Sequence, residues 1–261
     1  MKPHSLISVA FSGCGFLAPI HGGSACQLLE SGYAFREVSG TSGGSIIAAA
    51  IGAGFNYGRI KNLSVNSDFK GLLRLDLWSL LKGVGYCSGN ALERFLHGVL
   101  GDITFAKTFV DTRIVATDLK TGVPFVFSKE TTPDYPLYKA CRASASIPFI
   151  YESFNDLDKV FVDGGETCNV PAQYLPGGGK KVAFVIQSRK PNNLTTLLGR
   201  ASANLSNLLS ADEATLEALA NAHSVKVVNT VCNSVGFLDD GMTETDKVNL
   251  FTMGLSAAKG I

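Results

Sequence analysis

The chain has 261 residues, of which 46% are hydrophobic and 17% charged, so it can bury a large core within one α/β domain. The formal net charge is +1 and no block of like charge occurs, which argues against a general attraction to nucleic acid or to an anionic membrane. The 6 cysteines have neither zinc-site nor C-x-x-C spacing, so we interpret them as reduced, mostly buried thiols of a cytoplasmic protein.

Two segments, 3–29 and 38–58, contain no charged residue and are long enough to be membrane-spanning candidates. Glycine, proline, serine and asparagine residues interrupt them, which favours a buried strand, a tight turn and a buried helix in each. The apolar run at 6–11 (LISVAF) is shorter than the core of a secretory signal, about 7–15 residues, so the following cysteine is a weak lipoprotein site. We expect no signal peptide and no transmembrane helix, with at most peripheral contact to a membrane or lipid surface.

Apolar runs and the turn residues between them predict alternating strands and helices. The predicted strands are 6–11, 35–39, 114–116, 124–127, 160–162, 182–187 and 226–231. The predicted helices are 19–31, 45–54, 138–146, 194–222 with a break at Ser210, and 243–258 with Thr243 and Asp246 as a capping-box variant. This alternation predicts a three-layer α/β/α fold with a mostly parallel central sheet, in a single domain over residues 1–261.

Residues 40–44 read GTSGG and match G-x-S-x-G, the turn that presents a nucleophilic serine between a strand and a helix. Gly40 and Gly44 relieve crowding where the backbone turns, and they leave the Ser42 hydroxyl exposed at the start of the helix. The predicted strand before the motif and the helix after it are the context that the motif requires. A glycine-rich turn without catalysis fits the pattern as well, but this context disfavours it.

A nucleophilic serine needs a base, and the sequence offers two arrangements. The chain has 4 histidines, and Ser42, Asp163 and His223 occur in the order of an α/β-hydrolase triad. In that fold several strands precede the nucleophile, whereas here the motif follows the second predicted strand. His223 also ends a predicted helix, where an exposed or capping role is ordinary. The triad is therefore the disfavoured alternative.

The second arrangement uses Asp163 directly. Residues 159–165 (KVFVDGG) place this carboxylate after a strand, in a turn formed with Gly164 and Gly165. Catalytic groups of an open parallel sheet gather at the carboxyl ends of the strands, so we expect Ser42 and Asp163 to meet there. A carboxylate within hydrogen-bond reach can accept the serine proton without an imidazole.

The stretch 11–18 (FSGCGFLA) joins the first predicted strand to the first predicted helix. Its backbone N–H groups can stabilise the oxyanion of an acyl transfer, with Gly13, Cys14 and Gly15 as the expected donors. The stretch also fits the dinucleotide fingerprint G-x-G-x-x-A, with Glu37 near the position of the acidic residue. Because Glu37 would lie inside the second strand, this alternative is disfavoured. A non-catalytic dinucleotide- or lipid-binding protein stays open.

Taken together, these motifs resemble those of the patatin-like phospholipase family. Members carry a glycine-rich oxyanion loop after the first strand, G-x-S-x-G after the second, and D-G-G or D-G-A later. The similar segments are 12–18, 40–44, 115–122 (VATDLKTG), 140–154 (ACRASASIPFIYESF) and 163–171 (DGGETCNVP). The resemblance runs from about residue 6 to about residue 190.

The resemblance implies a lipid acyl hydrolase that uses a Ser–Asp dyad and neither a metal nor another cofactor. Ser42 would be the nucleophile and Asp163 the general base, and Gly13, Cys14 and Gly15 would line the oxyanion hole. The implied partner is a lipid or acyl-ester substrate at a membrane or lipid interface. No nucleic acid and no particular protein partner is implied.

The chain departs from the family pattern in the oxyanion loop. Many members have a basic residue and a final glycine where this chain has Leu17 and Ala18. The GCGFL sequence is similar to the triacylglycerol-lipase and adiponutrin branch, which favours a neutral lipid as substrate. Residues 69–82 (FKGLLRLDLWSLLK) predict a leucine-rich helix that contains the sole tryptophan. We expect this helix to pack as a cap, with contact to a lipid interface as the alternative.

Overall fold

The structure is a computed structural model that describes residues 5–73, 75–81, 83, 85–239 and 241–261. His4 and two basic residues of the predicted cap helix, Arg74 and Lys82, lie outside these ranges. The helices in the described ranges are too short or too polar to cross a membrane. The extent of the domain, residues 1–261, stays a prediction.

The described residues form one sheet of eight strands with flanking helices. The strands are β1 (Ser5–Phe11), β2 (Tyr33–Thr41), β3 (Asp111–Asp118), β4 (Val123–Phe127), β5 (Phe154–Asp156), β6 (Lys159–Val162), β7 (Lys180–Ser188) and β8 (Lys226–Cys232). Their order is β5-β6-β3-β2-β1-β7-β8, with β4 paired to β3. The strands β3, β2, β1, β7 and β8 pair in parallel, whereas β4 and β6 pair antiparallel with β3, and β5 with β6. This is the α/β fold with a mostly parallel sheet that the sequence predicted.

The helices lie on both faces of the sheet. They are α1 (Ala18–Glu30), α2 (Gly43–Gly52), α3 (Tyr57–Asn66), α4 (Leu77–Leu81), α5 (Asn90–Leu100), α6 (Leu137–Ser144), α7 (Leu197–Leu209), α8 (Glu213–His223) and α9 (Glu244–Ala257). Along β1, Val9 and Phe11 point into a large core, where α1 and α9 pack against each other. Ala10 points to the opposite face and into a smaller core, which Leu219 of α8 contacts.

Local capping explains several helix boundaries. The predicted capping box is present at α9, where Asp246 donates its N–H to the Thr243 hydroxyl and accepts the Thr243 N–H. The helix α3 was not predicted, and it begins at Asn56, whose side chain accepts the N–H of Arg59 at 3.0 Å. The helix α5 was not predicted either.

The helix expected over 194–222 begins three residues late, at Leu197, and its predicted break at Ser210 is confirmed, because α7 ends at Leu209 and Asp212 caps the second part, α8. The other leucine-rich prediction is wrong in extent. The continuous helix expected over 69–82 is replaced by turns followed by the short helix α4. Phe69, near the start of this segment, is buried, whereas Trp78 is 74% exposed. The segment therefore packs on the core at one end and presents apolar side chains to solvent at the other.

Candidate active site

Ser42 occupies a strained turn between β2 and α2. Its backbone has φ 50° and ψ −126°, a conformation that costs a non-glycine residue about 1–3 kcal/mol. The Ser42 N–H donates to the hydroxyl of Ser144 at 2.8 Å, and that hydroxyl donates to the carbonyl of Val115 at 2.5 Å. Ser144 on α6 thus links the strained turn to β3 and helps to hold it in place.

The glycines of the motif are required by close approach of the backbone. A Cβ atom at Gly44 would lie 2.3 Å from the carbonyl oxygen of Ser12, and one at Gly40 would lie 2.6 Å from the Cα of Ser45. Neither position has room for a side chain. The strand–turn–helix arrangement inferred from the sequence is therefore present, and Ser42 lies at the start of α2.

The turn that carries Asp163 reaches Ser42 by a route that the sequence did not predict. Asp163 follows β6, which runs antiparallel to β3, with Val162 paired to Thr117 near the end of β3. Ser42 follows β2, which pairs in parallel with β3 on its other side. The structure brings the two residues together, but the reason given from sequence, that both follow parallel strands, is wrong for β6.

Ser42 and Asp163 are joined by a direct hydrogen bond. The Ser42 hydroxyl donates to Asp163 Oδ2 at 2.6 Å, and the Gly165 N–H donates to Oδ1 at 2.8 Å. Both side chains are almost completely buried. A Cβ atom at Gly164 would lie 2.1 Å from the Val115 carbonyl, so this glycine lets the aspartate turn pass close to β3.

The environment of Asp163 makes it a stronger base than an ordinary aspartate. Burial raises its pKa from 3.8 to about 7, because the ionised form loses its hydration, and the charge of Glu166 adds a smaller increase. The hydrogen bonds from Ser42 and Gly165 act in the opposite direction and are weaker. A carboxylate with a pKa near neutrality can both accept and return a proton at physiological pH.

The glycine-rich loop lies against the Ser42 turn. The Gly13 N–H is already engaged, since it donates to the carbonyl oxygen of Asn169 at 3.1 Å and to its side-chain oxygen at 3.0 Å. Within the described residues, no hydrogen bond is formed by the N–H of Cys14 or of Gly15. Gly15 adopts φ +52° and lines the cavity beside Ser42. Two of the three expected oxyanion donors therefore have no other hydrogen-bond acceptor among the described residues.

A buried histidine supports the same loop. His21 Nε2 lies 2.9 Å from the carbonyl oxygen of Ser12, so this nitrogen carries the proton and donates it. Burial lowers the pKa of His21 to about 3, which keeps its ring neutral. The Ser12 hydroxyl in turn donates to the Gly13 carbonyl. His21 is therefore a structural residue of the loop and not a base for Ser42.

The two alternatives drawn from sequence are not supported by the geometry. His223 ends α8 just before β8 begins, at the edge of the parallel strands opposite to Ser42, and the carboxylate oxygens of Asp163 are occupied by Ser42 and Gly165. Glu37 lies inside β2, where its carboxylate accepts the Gly177 N–H and faces Arg113 at 3.6 Å. It is therefore not at the strand end where a ribose would bind.

An apolar cavity begins at Ser42. Gly15 and Gly43 line it beside the serine, and aliphatic and aromatic side chains, including Leu72, Leu92 and Tyr151, form the remaining walls. Its volume is about 40 Å³, against about 10–15 Å³ for one water molecule. The walls suit a hydrocarbon chain, although the resting cavity is narrow.

Within the described residues, no three His, Cys, Asp or Glu side chains are arranged to hold a metal ion.

Several exposed apolar residues lie within a few positions in the sequence of residues that line this cavity. We call them the cap patch: Leu75, Leu77, Trp78, Leu81 and Phe149. Their backbones are linked, because the N–H of Tyr86 donates to the Phe149 carbonyl and the N–H of Asp76 donates to the Tyr86 carbonyl.

Comparison with known proteins identifies the family. The family model of patatin-like phospholipases matches residues 9–176, which is more than half of the chain. The chain belongs to the patatin-like phospholipase family. The matched segment contains the glycine-rich loop, the Ser42 turn and the Asp163 turn. The patatin-like site is also held by Ser144 and Asn169, which have no motif of their own but lie in the family-like segments 140–154 and 163–171.

Its relatives include proteins from distant organisms. An uncharacterized protein of Acanthamoeba polyphaga mimivirus is 26% identical over 210 residues, covering 76% of this chain and 71% of the relative. The uncharacterized protein YqhO of Bacillus subtilis is 29% identical over 193 residues, covering 63% of this chain and 65% of the relative. VipD from Legionella pneumophila has the same fold, with a TM-score of 0.65, 13% identity and coverage of 98% of this chain and 66% of VipD. The chain thus spans about two thirds of the length of these proteins.

Proposed function

We propose that this protein hydrolyses acyl esters of lipids through a Ser42–Asp163 dyad and an acyl-enzyme. The observation that carries the proposal is the 2.6 Å hydrogen bond from the Ser42 hydroxyl to Asp163, in a strained turn beside an apolar cavity. Family membership supports a lipid acyl ester as the substrate class. The proposed enzyme class is a carboxylic ester hydrolase.

In the first half-reaction, Ser42 Oγ attacks the ester carbonyl carbon and its proton passes to Asp163 Oδ2. The tetrahedral intermediate then breaks the bond to the leaving alcohol, which takes the proton from Asp163, and the acyl group stays on Ser42. In the second half-reaction, water attacks the acyl carbon and gives its proton to Asp163. Collapse of this intermediate releases the fatty acid and returns the proton to Ser42.

The N–H groups of Cys14 and Gly15 are our proposed oxyanion donors. Each such donor is worth roughly 3–4 kcal/mol in the transition state. Gly13 has a different role in this proposal, because its N–H is held by Asn169 and so fixes the loop instead of binding the oxyanion. Burial and the charge of Asp163 raise the pKa of the Cys14 thiol well above its ordinary value. The thiol therefore stays neutral and does not compete with Ser42 as a nucleophile.

The substrate in this proposal is a lipid presented at an interface. Leu17, at the position where many members carry a basic residue, is completely buried and offers no charge to a phosphate. This favours a neutral acyl ester over a phospholipid. The cap patch supplies exposed apolar surface near the cavity, of the kind that binds a membrane or lipid surface.

Fatty-acid release from triacylglycerol, phospholipid and soluble p-nitrophenyl esters tests the proposal. We expect the wild type to be active, Ser42→Ala and Asp163→Asn to lose at least about a hundredfold, and His223→Ala to keep full activity. Loss of activity in a folded His223→Ala protein would favour the alternative hypothesis, a Ser42–Asp163–His223 triad. A folded wild type that hydrolyses none of these esters but binds them would identify a non-catalytic lipid-binding protein.

A further inference from the structure

Two apolar cavities lie side by side in the large core. The first reaches Ser42, and the second, of about 20 Å³, does not reach it and lies between Pro19 of α1, Ile47 of α2 and Leu63 of α3. Ala18, Ile46, Phe69 and Phe95 line both cavities and so form the wall between them.

Within this wall, the ring of Phe69 stacks on the ring of Phe16, a residue that lines the first cavity. Its ring lies 5.5 Å from that of Phe16, with 20° between the planes, and Phe16 lines the first cavity but not the second. The centroids of the Phe69 and Phe95 rings are 6.2 Å apart, and the two rings form a T-shaped pair. The side chain is buried, with 8% of its surface exposed.

Phe69 is also the member of the wall that lies outside a helix. Ala18, Ile46 and Phe95 belong to α1, α2 and α5, and their backbones are fixed by helical hydrogen bonds. The turn that carries Phe69 is tied to α9 instead, where Lys247 Nζ donates to the Ser67 carbonyl at 2.8 Å. The same ammonium lies 5.9 Å from the Phe69 ring centroid, a favourable cation–π distance. The backbone at Phe69 is therefore not held by helical hydrogen bonds, unlike the backbones of the other three wall residues.

We propose that Phe69 divides one acyl-binding channel into two parts and sets the length of acyl chain that the protein accepts. The ligand is an unbranched hydrocarbon chain attached to the ester carbonyl at Ser42. A short chain ends in the first cavity, whereas a long chain must displace the Phe69 ring to reach the second. This inference rests on the proposed function, because the channel is defined from Ser42.

The test compares p-nitrophenyl esters with acyl chains of 4 to 16 carbons. Removing the ring in Phe69→Ala is expected to raise kcat/KM for the 14-carbon ester relative to the 4-carbon ester by at least about tenfold, the selectivity that an apolar pocket gains per methylene. The larger ring of Phe69→Trp is expected to shift the same ratio the other way. Phe125→Ala is the matched control, since Phe125 packs in a separate aromatic cluster with Phe127 and Phe161. An unchanged ratio in Phe69→Ala, with 4-carbon activity retained, would overturn the proposal.

A binding measurement separates failure of this proposal from failure of the proposed function. In the Ser42→Ala background, binding of methyl hexanoate and methyl tetradecanoate is measured by calorimetry with and without Phe69→Ala. The proposal expects the second substitution to favour the longer ester by about tenfold. Equal changes for both esters, or no binding of either, contradict it whether or not the wild type hydrolyses esters. Phe69→Leu, which is less disruptive, replaces Phe69→Ala if the alanine variant does not fold.

Discussion

Gly13 and Asn169 join the two loops that meet at Ser42. The Gly13 N–H donates to both the carbonyl oxygen and the side-chain oxygen of Asn169, and the Asn169 side chain donates to the carbonyl of Leu209 on α7 at 3.1 Å. Asn169 lies in the same loop as Asp163. One residue therefore fixes the glycine-rich loop relative to the proposed base.

Asn169→Ala is expected to lower kcat by about tenfold to a hundredfold with little change in KM. The loop that carries the proposed oxyanion donors would keep the Asn169 backbone carbonyl as an acceptor but lose the side-chain oxygen, and the anchor of Asn169 to Leu209 would be lost as well. The donors would then be held less rigidly, and such donors act in the transition state. Steady-state kinetics with a soluble ester measure the two constants. Asn155→Ala, an exposed asparagine on β5, is the control. A rise in KM alone would show that Asn169 contributes to substrate binding and does not position the donors.

The pKa of Asp163 predicts the pH dependence of catalysis. Because burial raises this pKa to about 7 and the base must be ionised, kcat/KM is expected to rise about tenfold per pH unit below 7 and to level off above it. Glu166→Gln removes a nearby negative charge, so it should move this limb to lower pH. A limb near pH 4, the ordinary range for aspartate, would contradict the account.

The same shift predicts a pH-dependent cost in stability. The folded state holds the Asp163 proton more tightly than the unfolded state, so between about pH 4 and pH 7 the protein loses stability as the pH rises. Asp163→Asn does not titrate, and we expect its melting temperature to exceed that of the wild type by more at pH 8 than at pH 4. Thermal unfolding at the two pH values measures the difference. Equal differences at both would argue against a raised pKa.

The glycine of the serine turn can be tested against a glycine elsewhere. Gly44→Ala would place a Cβ atom 2.3 Å from the Ser12 carbonyl, so we expect loss of activity and a lower melting temperature. Gly98 lies on the exposed side of α5, and a Cβ atom there meets nothing within 4 Å. Gly98→Ala should stabilise the protein by about 0.5–1 kcal/mol, the helix propensity gained. Equal tolerance of both substitutions would mean that the turn can relax.

The cap patch predicts a difference between soluble and aggregated substrates. Trp78 and Phe149 are 74% and 78% exposed, and replacing both with alanine should reduce hydrolysis of lipid emulsions about tenfold while leaving soluble-ester hydrolysis unchanged. Phe109→Ala is the control, because Phe109 is 83% exposed but lies before the start of β3, at the edge opposite to Ser42. A loss of equal size on both substrates would show that these residues stabilise the fold and do not contact the lipid interface.

The sequence predicted the central elements well because their patterns are local. An apolar strand, a glycine turn and a small-residue helix identify the Ser42 turn without reference to the rest of the chain. The direction of β6 relative to β3 was not predictable in this way, because a four-residue strand can pair in either direction and β3 lies far away in sequence. The sequence predicted that Ser42 and Asp163 meet because both would follow parallel strands, but β6 is antiparallel to β3.

The supporting residues were harder to predict than the reacting ones. Ser144 and Asn169 act through side-chain hydrogen bonds to backbone groups that are 102 and 156 residues away in the chain. No spacing rule identifies such pairs. The engagement of the Gly13 N–H, which leaves Cys14 and Gly15 as the proposed donors, depends on one of them.

Covalent labelling with a long-chain alkyl fluorophosphonate tests the central claim most directly, because this reagent traps an activated serine. Intact-protein mass spectrometry with peptide mapping follows the wild type, Ser42→Ala and Asp163→Asn. The account predicts one adduct on Ser42 in the wild type, none in Ser42→Ala, and labelling slowed by at least about a hundredfold in Asp163→Asn. Wild-type labelling at another residue, or an unchanged rate in Asp163→Asn, would contradict it.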